Sequence, residues 1–304
     1  MTSTRFPRPL GRLSALVALA FLALACLPPR PPAASSDAFL DAGGVSLRYT
    51  VTGPADGEPV LLLNGLPEDL DVWRRSKTMA ALAGYRVILF DERGLGQSAK
   101  PHDPAAYGSE MAEDVVRLLD HLGLAQGHVV GYSMGGQIAA KLLVTHPERC
   151  ASVTVAGSGA LLPAIVPSYT MVADALEGRD IGPLLSRVPA PGGRRATTPA
   201  EVEEERANAR AFLDYLRQSG QDVAAVAALM RGMTGLVVTP EELRQNRVPV
   251  LVLYSDEDAH GEVSALTREL AQATVVRLAG ETHGTARDAP AFADALLAFL
   301  HAHP

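Results

Sequence analysis

The chain has 304 residues, 47% hydrophobic, 20% charged and 5% aromatic, a balance that excludes a disordered, collagen-like or coiled-coil protein. Its formal net charge of −7 disfavours a nucleic-acid partner, which a basic face would have to meet. At roughly 150 residues per domain, the length allows one large domain or two small ones.

The first segment reads as a leader. Arg5, Arg8 and Arg12 precede an apolar run from Leu13 to Ala25. That run is too short to span a bilayer as a helix, which takes about 20 residues. A basic start, a short apolar stretch and the small-residue end Ala23-Leu24-Ala25 are the features of a signal peptide over residues 1–25. Export to the periplasm or the outside of the cell is the expectation. Cys26 follows directly, so bacterial lipoprotein processing, with a lipid on Cys26 and membrane association through it, is a second outcome of the same pattern. Residues 26–38 are rich in Pro, Ala and Ser and read as a tether. Cys26 and Cys150 are the two cysteines, with no C-x-x-C spacing for a metal or redox site.

From residue 39 to 304, strand patterns alternate with helical ones. Val45 to Val51 alternates and runs into Gly53-Pro54-Ala55-Asp56-Gly57, a hairpin strand and its turn. Val60 to Leu63 is a short continuous apolar run, as a buried parallel strand requires. A helix is predicted from about Asp71 to Ala83 and a strand from Tyr85 to Phe90. Ser109 to Leu122 carries Met111, Val115, Leu118, Leu119 and Leu122 on one helical stripe. A strand over His128 to Gly131 and a helix over Gln137 to Thr145 follow. Cys150 to Val155, Val248 to Tyr254 and Thr274 to Leu278 supply three more strands, Glu262 to Gln272 a helix, and Ala291 to His301 the last helix. This rhythm predicts an α/β fold: a mostly parallel, doubly wound sheet with helices on both faces.

The rhythm breaks between about 161 and 246. That stretch has helical segments at Glu201 to Arg217 and Asp222 to Arg231, and a Pro/Gly cluster from Val188 to Gly193. It reads as an inserted helical lid. Its apolar residues, among them Leu161, Ile165, Tyr169, Met171, Val226 and Met230, are expected to pack the lid onto the core; any that face a cleft would suit an apolar acyl group.

Gly131-Tyr132-Ser133-Met134-Gly135-Gly136 carries the chemistry. It fits G-x-S-x-G and lies between a strand and a helix, the context in which that motif forms a sharp nucleophile turn. The small flanking residues let strand and helix approach, which lifts the Ser133 hydroxyl off the sheet edge. The Met134 amide then sits at a helix N-terminus, ready to donate to an oxyanion. A serine hydroxyl needs a base, and the base an orienting acid. His283 lies in a loop directly after the last strand, where sheets of this kind place their sites. The acid would come from the loop after Val248 to Tyr254, in which Asp256, Glu257 and Asp258 compete.

With these motifs in this order, the chain from about residue 39 to its end resembles the α/β-hydrolase superfamily, in its serine esterase, lipase and haloperoxidase-like branch with a single helical lid. Asp91-Glu92-Arg93-Gly94-Leu95-Gly96-Gln97-Ser98 matches the family's D-x-R-G-x-G-x-S loop, whose Asp91 and Arg93 are expected to brace rather than react. Asn64-Gly65-Leu66-Pro67 stands where the family has His-Gly-x-Pro, so the resemblance gives the second oxyanion amide to Leu66, with Asn64 a departure. The family's Gly-x-x-Asp spacing, with Ser255 at the glycine position, assigns the acid to Asp258 and leaves Asp256 as the alternative. The resemblance implies a serine hydrolase, carboxylesterase-like, that cleaves an ester, lactone or related acyl bond of a small hydrophobic substrate, with no metal or organic cofactor. Perhydrolysis of the haloperoxidase type and carbon–carbon bond hydrolysis use the same triad, and a non-catalytic ligand-binding module uses the same fold. Position 133 lacks the aspartate that epoxide hydrolase or dehalogenase chemistry needs in this fold.

Overall fold

A computed structural model describes residues 37–180, 198–218, 220–256, 258 and 260–304. The leader, Cys26, the cluster from Val188 to Gly193 and Glu257 lie outside the described residues.

Eight strands form one sheet in the order β1-β2-β4-β3-β5-β6-β7-β8. They are β1 (Ala38–Asp41), β2 (Ser46–Thr52), β3 (Pro59–Leu63), β4 (Arg86–Phe90), β5 (Gly127–Tyr132), β6 (Cys150–Ala156), β7 (Val250–Ser255) and β8 (Thr274–Leu278). β1 and β2 pair antiparallel with their neighbours, and β3 through β8 run parallel. The expected mostly parallel, doubly wound sheet is what forms.

Each inner strand divides its side chains between two cores, because successive residues point to opposite faces. Leu61 and Leu63 of β3, Val129 of β5 and Val252 of β7 join one cluster. Val60, Leu62, Val130, Leu251 and Leu253 join the other. The first core is closed by α3 (Ser109–His121) and α4 (Met134–Thr145). The second is closed by Trp73, Phe292, Leu296 and Leu300, from α1 (Asp71–Arg75) and the last helix, α10 (Pro290–His301). Strands apolar on both faces are the reason these segments read as continuous hydrophobic runs.

Three expectations are corrected. β2 makes its hairpin with β1, the strand before it, and not through the Gly53–Gly57 turn, which leads instead to β3, two places away in the sheet. The tether ends earlier than residue 38: Ala38 opens β1, and Asp37 pairs with Arg48 and Arg74. The helix predicted from Asp71 to Ala83 is two, α1 and α2 (Lys77–Ala81), broken at Ser76 in an extended conformation. The Ser76 hydroxyl accepts from the Met79 amide at 3.2 Å and donates to the Trp73 carbonyl at 2.8 Å. One serine therefore closes the first helix and caps the second.

Between β6 and β7 the described residues form helices and no strand: α5 (Val166–Leu176), α6 (Pro199–Gln218), α7 (Val223–Gly232) and α8 (Pro240–Arg244). Leu161, Met171, Val226, Leu229, Met230 and Met233 are buried in the first core, and Ile165, Tyr169 and Val223 pack against it. This is the expected packing role. α9 (His260–Glu269) then leads to β8.

Candidate active site

All the site residues collect at the C-terminal ends of the parallel strands. Ser133 follows β5 directly, with φ 55° and ψ −117°, the one non-glycine residue with positive φ among those described. Such a backbone costs of order 1–3 kcal/mol and persists only where its surroundings fix it. Here they do. The Ser133 amide donates to the Ala156 carbonyl at 2.8 Å, and the Ser133 carbonyl accepts from Gly136 at 2.9 Å and from the Ser158 hydroxyl at 2.9 Å. A Cβ on Gly131 would lie 2.1 Å from the Gly135 carbonyl oxygen, and one on Gly135 would lie 2.6 Å from that of Leu63. The turn can therefore close only with hydrogen at both positions.

The loop after β8 carries His283. Its Nε2 is 3.2 Å from Ser133 Oγ and its Nδ1 is 2.7 Å from Asp258 Oδ1. Asp258 is buried, and its other oxygen accepts from the Ser255 amide at 2.5 Å. Of the two described competing carboxylates, Asp258 is the one brought to the imidazole. Asp256 is turned away, accepting from Arg277 Nε at 2.6 Å and the Gly280 amide at 3.1 Å. His260 opens α9, its side chain outside the described residues.

The two amides expected to serve an oxyanion come from two segments. Met134 is the first residue of α4, where an amide has no acceptor one turn earlier in the helix. Leu66 lies in the loop after β3. Asn64, just upstream, is fully buried. Its amide donates to Glu92 Oε1 at 2.7 Å, and its side-chain Nδ2 donates to Glu92 Oε2 at 2.9 Å and to the Phe90 carbonyl at 2.8 Å. Asn64 thus ties the loop to the end of β4. Burial pushes the Glu92 carboxyl up to about 8, against the lowering effect of the Asn64 hydrogen bonds.

The loop after β4 braces as expected. Asp91 accepts from the amides of Leu70 and Gln97, both at 2.7 Å. Arg93 forks onto Asp114 of α3 at 2.6 and 2.5 Å.

Tyr132, the residue before the serine, escaped the sequence reading. Its hydroxyl donates a very short hydrogen bond to the His283 carbonyl, and its ring lies 5.3 Å from the imidazole. Burial raises its hydroxyl well above the ordinary tyrosine range, so it remains a donor. The contact between Glu68 and Arg287 also went unread. The adjacency of each residue to a motif was the available signal; what joins them is set by the fold. The helical insertion touches this region: Gln137 Nε2 donates to the Tyr169 hydroxyl at 2.6 Å, and Gln221 Nε2 donates to the Pro67 carbonyl at 3.0 Å.

A sequence profile described as the alpha/beta hydrolase fold matches residues 58–177. The RutD protein of Variovorax paradoxus, whose name assigns it carbamate hydrolysis, is 39% identical over 109 residues, 36% of this chain and 41% of RutD. Epoxide hydrolase B of Mycobacterium tuberculosis is 38% identical over 130 residues, 40% of this chain and 36% of that protein. The chain thus matches about two fifths of the length of these curated relatives. Among solved structures, a hydrolase from Pseudomonas aeruginosa PA01 superposes with a TM-score of 0.66 at 26% identity, covering 88% of this chain and 99% of that one. Sheet order, strand direction, the turn at Ser133 and these likenesses agree: the chain has the α/β-hydrolase fold.

Proposed function

We propose that the protein is a serine hydrolase that cleaves an ester, lactone or related acyl bond through an acyl-enzyme. The observation that carries the reading is the unbroken hydrogen-bond chain from Ser133 through His283 to Asp258. Ser133 Oγ attacks the substrate carbonyl as His283 Nε2 removes its proton. Asp258 holds the imidazole by Nδ1 and stabilises the imidazolium that forms. The negative charge that develops on the carbonyl oxygen is met by the amides of Leu66 and Met134, the latter at a helix N-terminus. The tetrahedral adduct collapses as His283 returns the proton to the departing alcohol, leaving the acyl group on Ser133. A water then takes the serine's part: His283 deprotonates it, it attacks the acyl carbon, and Ser133 leaves with the proton.

The helical insertion acts as the lid in this reading. Its contacts at Tyr169 and Gln221 reach the first turn of α4 and the oxyanion loop, so its position and the site are coupled. A small hydrophobic acyl group is the substrate this reading assigns to the site. The relatives' names span more than one hydrolytic chemistry, and Ser133 in the nucleophile position favours acyl transfer over epoxide opening. A panel of p-nitrophenyl esters and lactones of graded acyl length tests this. Turnover that vanishes in Ser133→Ala while the fold is kept is the expected result. Turnover in Ser133→Ala within about tenfold of the parent would refute the nucleophile, since loss of a triad serine costs several orders of magnitude.

A further inference from the structure

Two charged side chains outside the Ser133–His283–Asp258 chain join the loops that serve it. Glu68 lies two residues after Leu66, and Arg287 four residues after His283, on the short turn Ala286–Asp288. They meet as a fork, Arg287 Nη1 donating to Oε2 at 2.7 Å and Nη2 to Oε1 at 3.1 Å. The Arg287 side chain is 7% exposed and that of Glu68 10%. The guanidinium lies 5.0 Å from the centre of the Tyr132 ring and 5.2 Å from that of Trp73. The Arg287 carbonyl accepts from the Thr78 hydroxyl at 2.6 Å. The carboxylate and the nucleophile both flank Gly65: a Cβ there would sit 3.2 Å from Glu68 Oε2 and 3.1 Å from Ser133 Cβ. Burial pushes the Glu68 carboxyl up, but the Arg287 charge and hydrogen bonds, helped by His283, outweigh it and hold the carboxyl below its ordinary range. Both groups are therefore charged at neutral pH.

A buried ion pair is a weak stabiliser, because desolvation offsets most of its attraction. The place of this one is more telling than its strength. It spans 219 residues of sequence and ties the oxyanion loop to the loop of the base. We propose that Glu68 and Arg287 are a positioning pair for the acyl transfer described above: they hold the Leu66 and His283 loops in register and cancel each other's charge next to Gly65. The inference rests on that reading of Ser133.

The charge balance follows from what each group would do alone. An unpaired Glu68 would favour the imidazolium, withdrawing the base at neutral pH, and would repel the oxyanion. An unpaired Arg287 would oppose the imidazolium that must form in the transition state. Around His283 and the pair stand Asp258 from the β7 loop, Tyr132 from β5, and Asp288 beside Arg287. Tyr215 of α6 interacts with Glu68 and Asp69. Asp288 also acts on the Arg287 charge, but the bidentate fork is made with Glu68.

The test is the pH profile of kcat/KM with p-nitrophenyl acetate for Glu68→Gln, Arg287→Met and the double variant, each checked for folding by thermal melting, with Ser133→Ala alongside. The acidic limb should move to lower pH in Glu68→Gln and to higher pH in Arg287→Met, by about half a unit or more. It should return towards the parent position in the double variant. In all three, kcat should fall about tenfold or more with KM within about threefold, the mark of a misplaced reacting group rather than lost binding. Arg287→Lys, which keeps the charge without the fork, should keep the limb and lose part of kcat. If Arg287→Met does not fold, Glu68→Gln, which is isosteric, decides the question with the double variant. Folded single variants with an unmoved limb and kcat within about twofold of the parent would overturn the proposal. Full turnover by Ser133→Ala would instead overturn the nucleophile reading, so the two failures are distinct.

Discussion

Two regions meet at Ser133, and they are held together differently. The loops at the ends of β3, β4 and β5 are fixed by buried groups: Asn64 on Glu92, Asp91 on two amides, and Arg93 on Asp114, whose side chains are 3% and 1% exposed. The helical insertion uses the same chemistry nearer to water. Arg231 of α7 forks onto Glu177 and Asp174 at 2.7 and 2.6 Å with its side chain 23% exposed, and His102 meets Asp222 at 2.9 Å with the imidazole 61% exposed. Removing a partner from a buried pair strands a charge in low dielectric; removing one near the surface lets water replace it. The polar contacts of the scaffold are thus committed to one geometry, while those of the insertion exchange more readily with water.

The largest expected effect lies in the loop after β7, at Asp258. Asp258→Asn should lower kcat by about three to four orders of magnitude, because the amide favours the wrong imidazole tautomer. Asp256→Asn, two residues away but bound to Arg277, should cost far less. A reversed order in steady-state kinetics would move the acid to Asp256.

Next come the two arginine forks, compared by chemical denaturation. Arg93→Ala should destabilise by about 3–5 kcal/mol, the cost of breaking a buried pair. Arg231→Ala, at the partly exposed fork, should cost under about 1 kcal/mol. Equal losses would erase the distinction between scaffold and insertion.

Glu92 sharpens the comparison through pH. Its carboxyl is raised to about 8 by burial, so between the unfolded value near 4.5 and about 8 the folded protein binds more protons than the unfolded chain. Stability from this group is fully present below that window and is lost as pH rises through it. Glu92→Gln cannot ionise, so its melting temperature relative to the parent should rise between pH 5 and pH 9. A constant difference across that range would show that Glu92 does not titrate there.

Much of this was legible because it is local. β8 falls at Thr274–Leu278, as its apolar run predicts, and the last helix starts within one residue of its expected position. Ser133, Asp258 and His283 stand in loops after strands, which a pattern of strands and spacings can locate. The errors come where a short segment's state is decided elsewhere. β1 is four residues long and is stabilised by pairing with β2, so its own pattern carries little signal. Ser76 stands in a helical pattern, and only its bonds to Trp73 and Met79 reveal the break. Glu68 and Arg287 are farther apart than any periodicity can connect, and the sheet alone brings them together.

The central claim is that Ser133 is the activated nucleophile. Treating the protein with a fluorophosphonate and mapping the adduct by peptide mass spectrometry tests it most directly. The account predicts one adduct, on the peptide carrying Ser133, lost in Ser133→Ala and strongly slowed in His283→Ala. A folded protein that takes up no label, or an adduct on another residue that persists in Ser133→Ala, would contradict it.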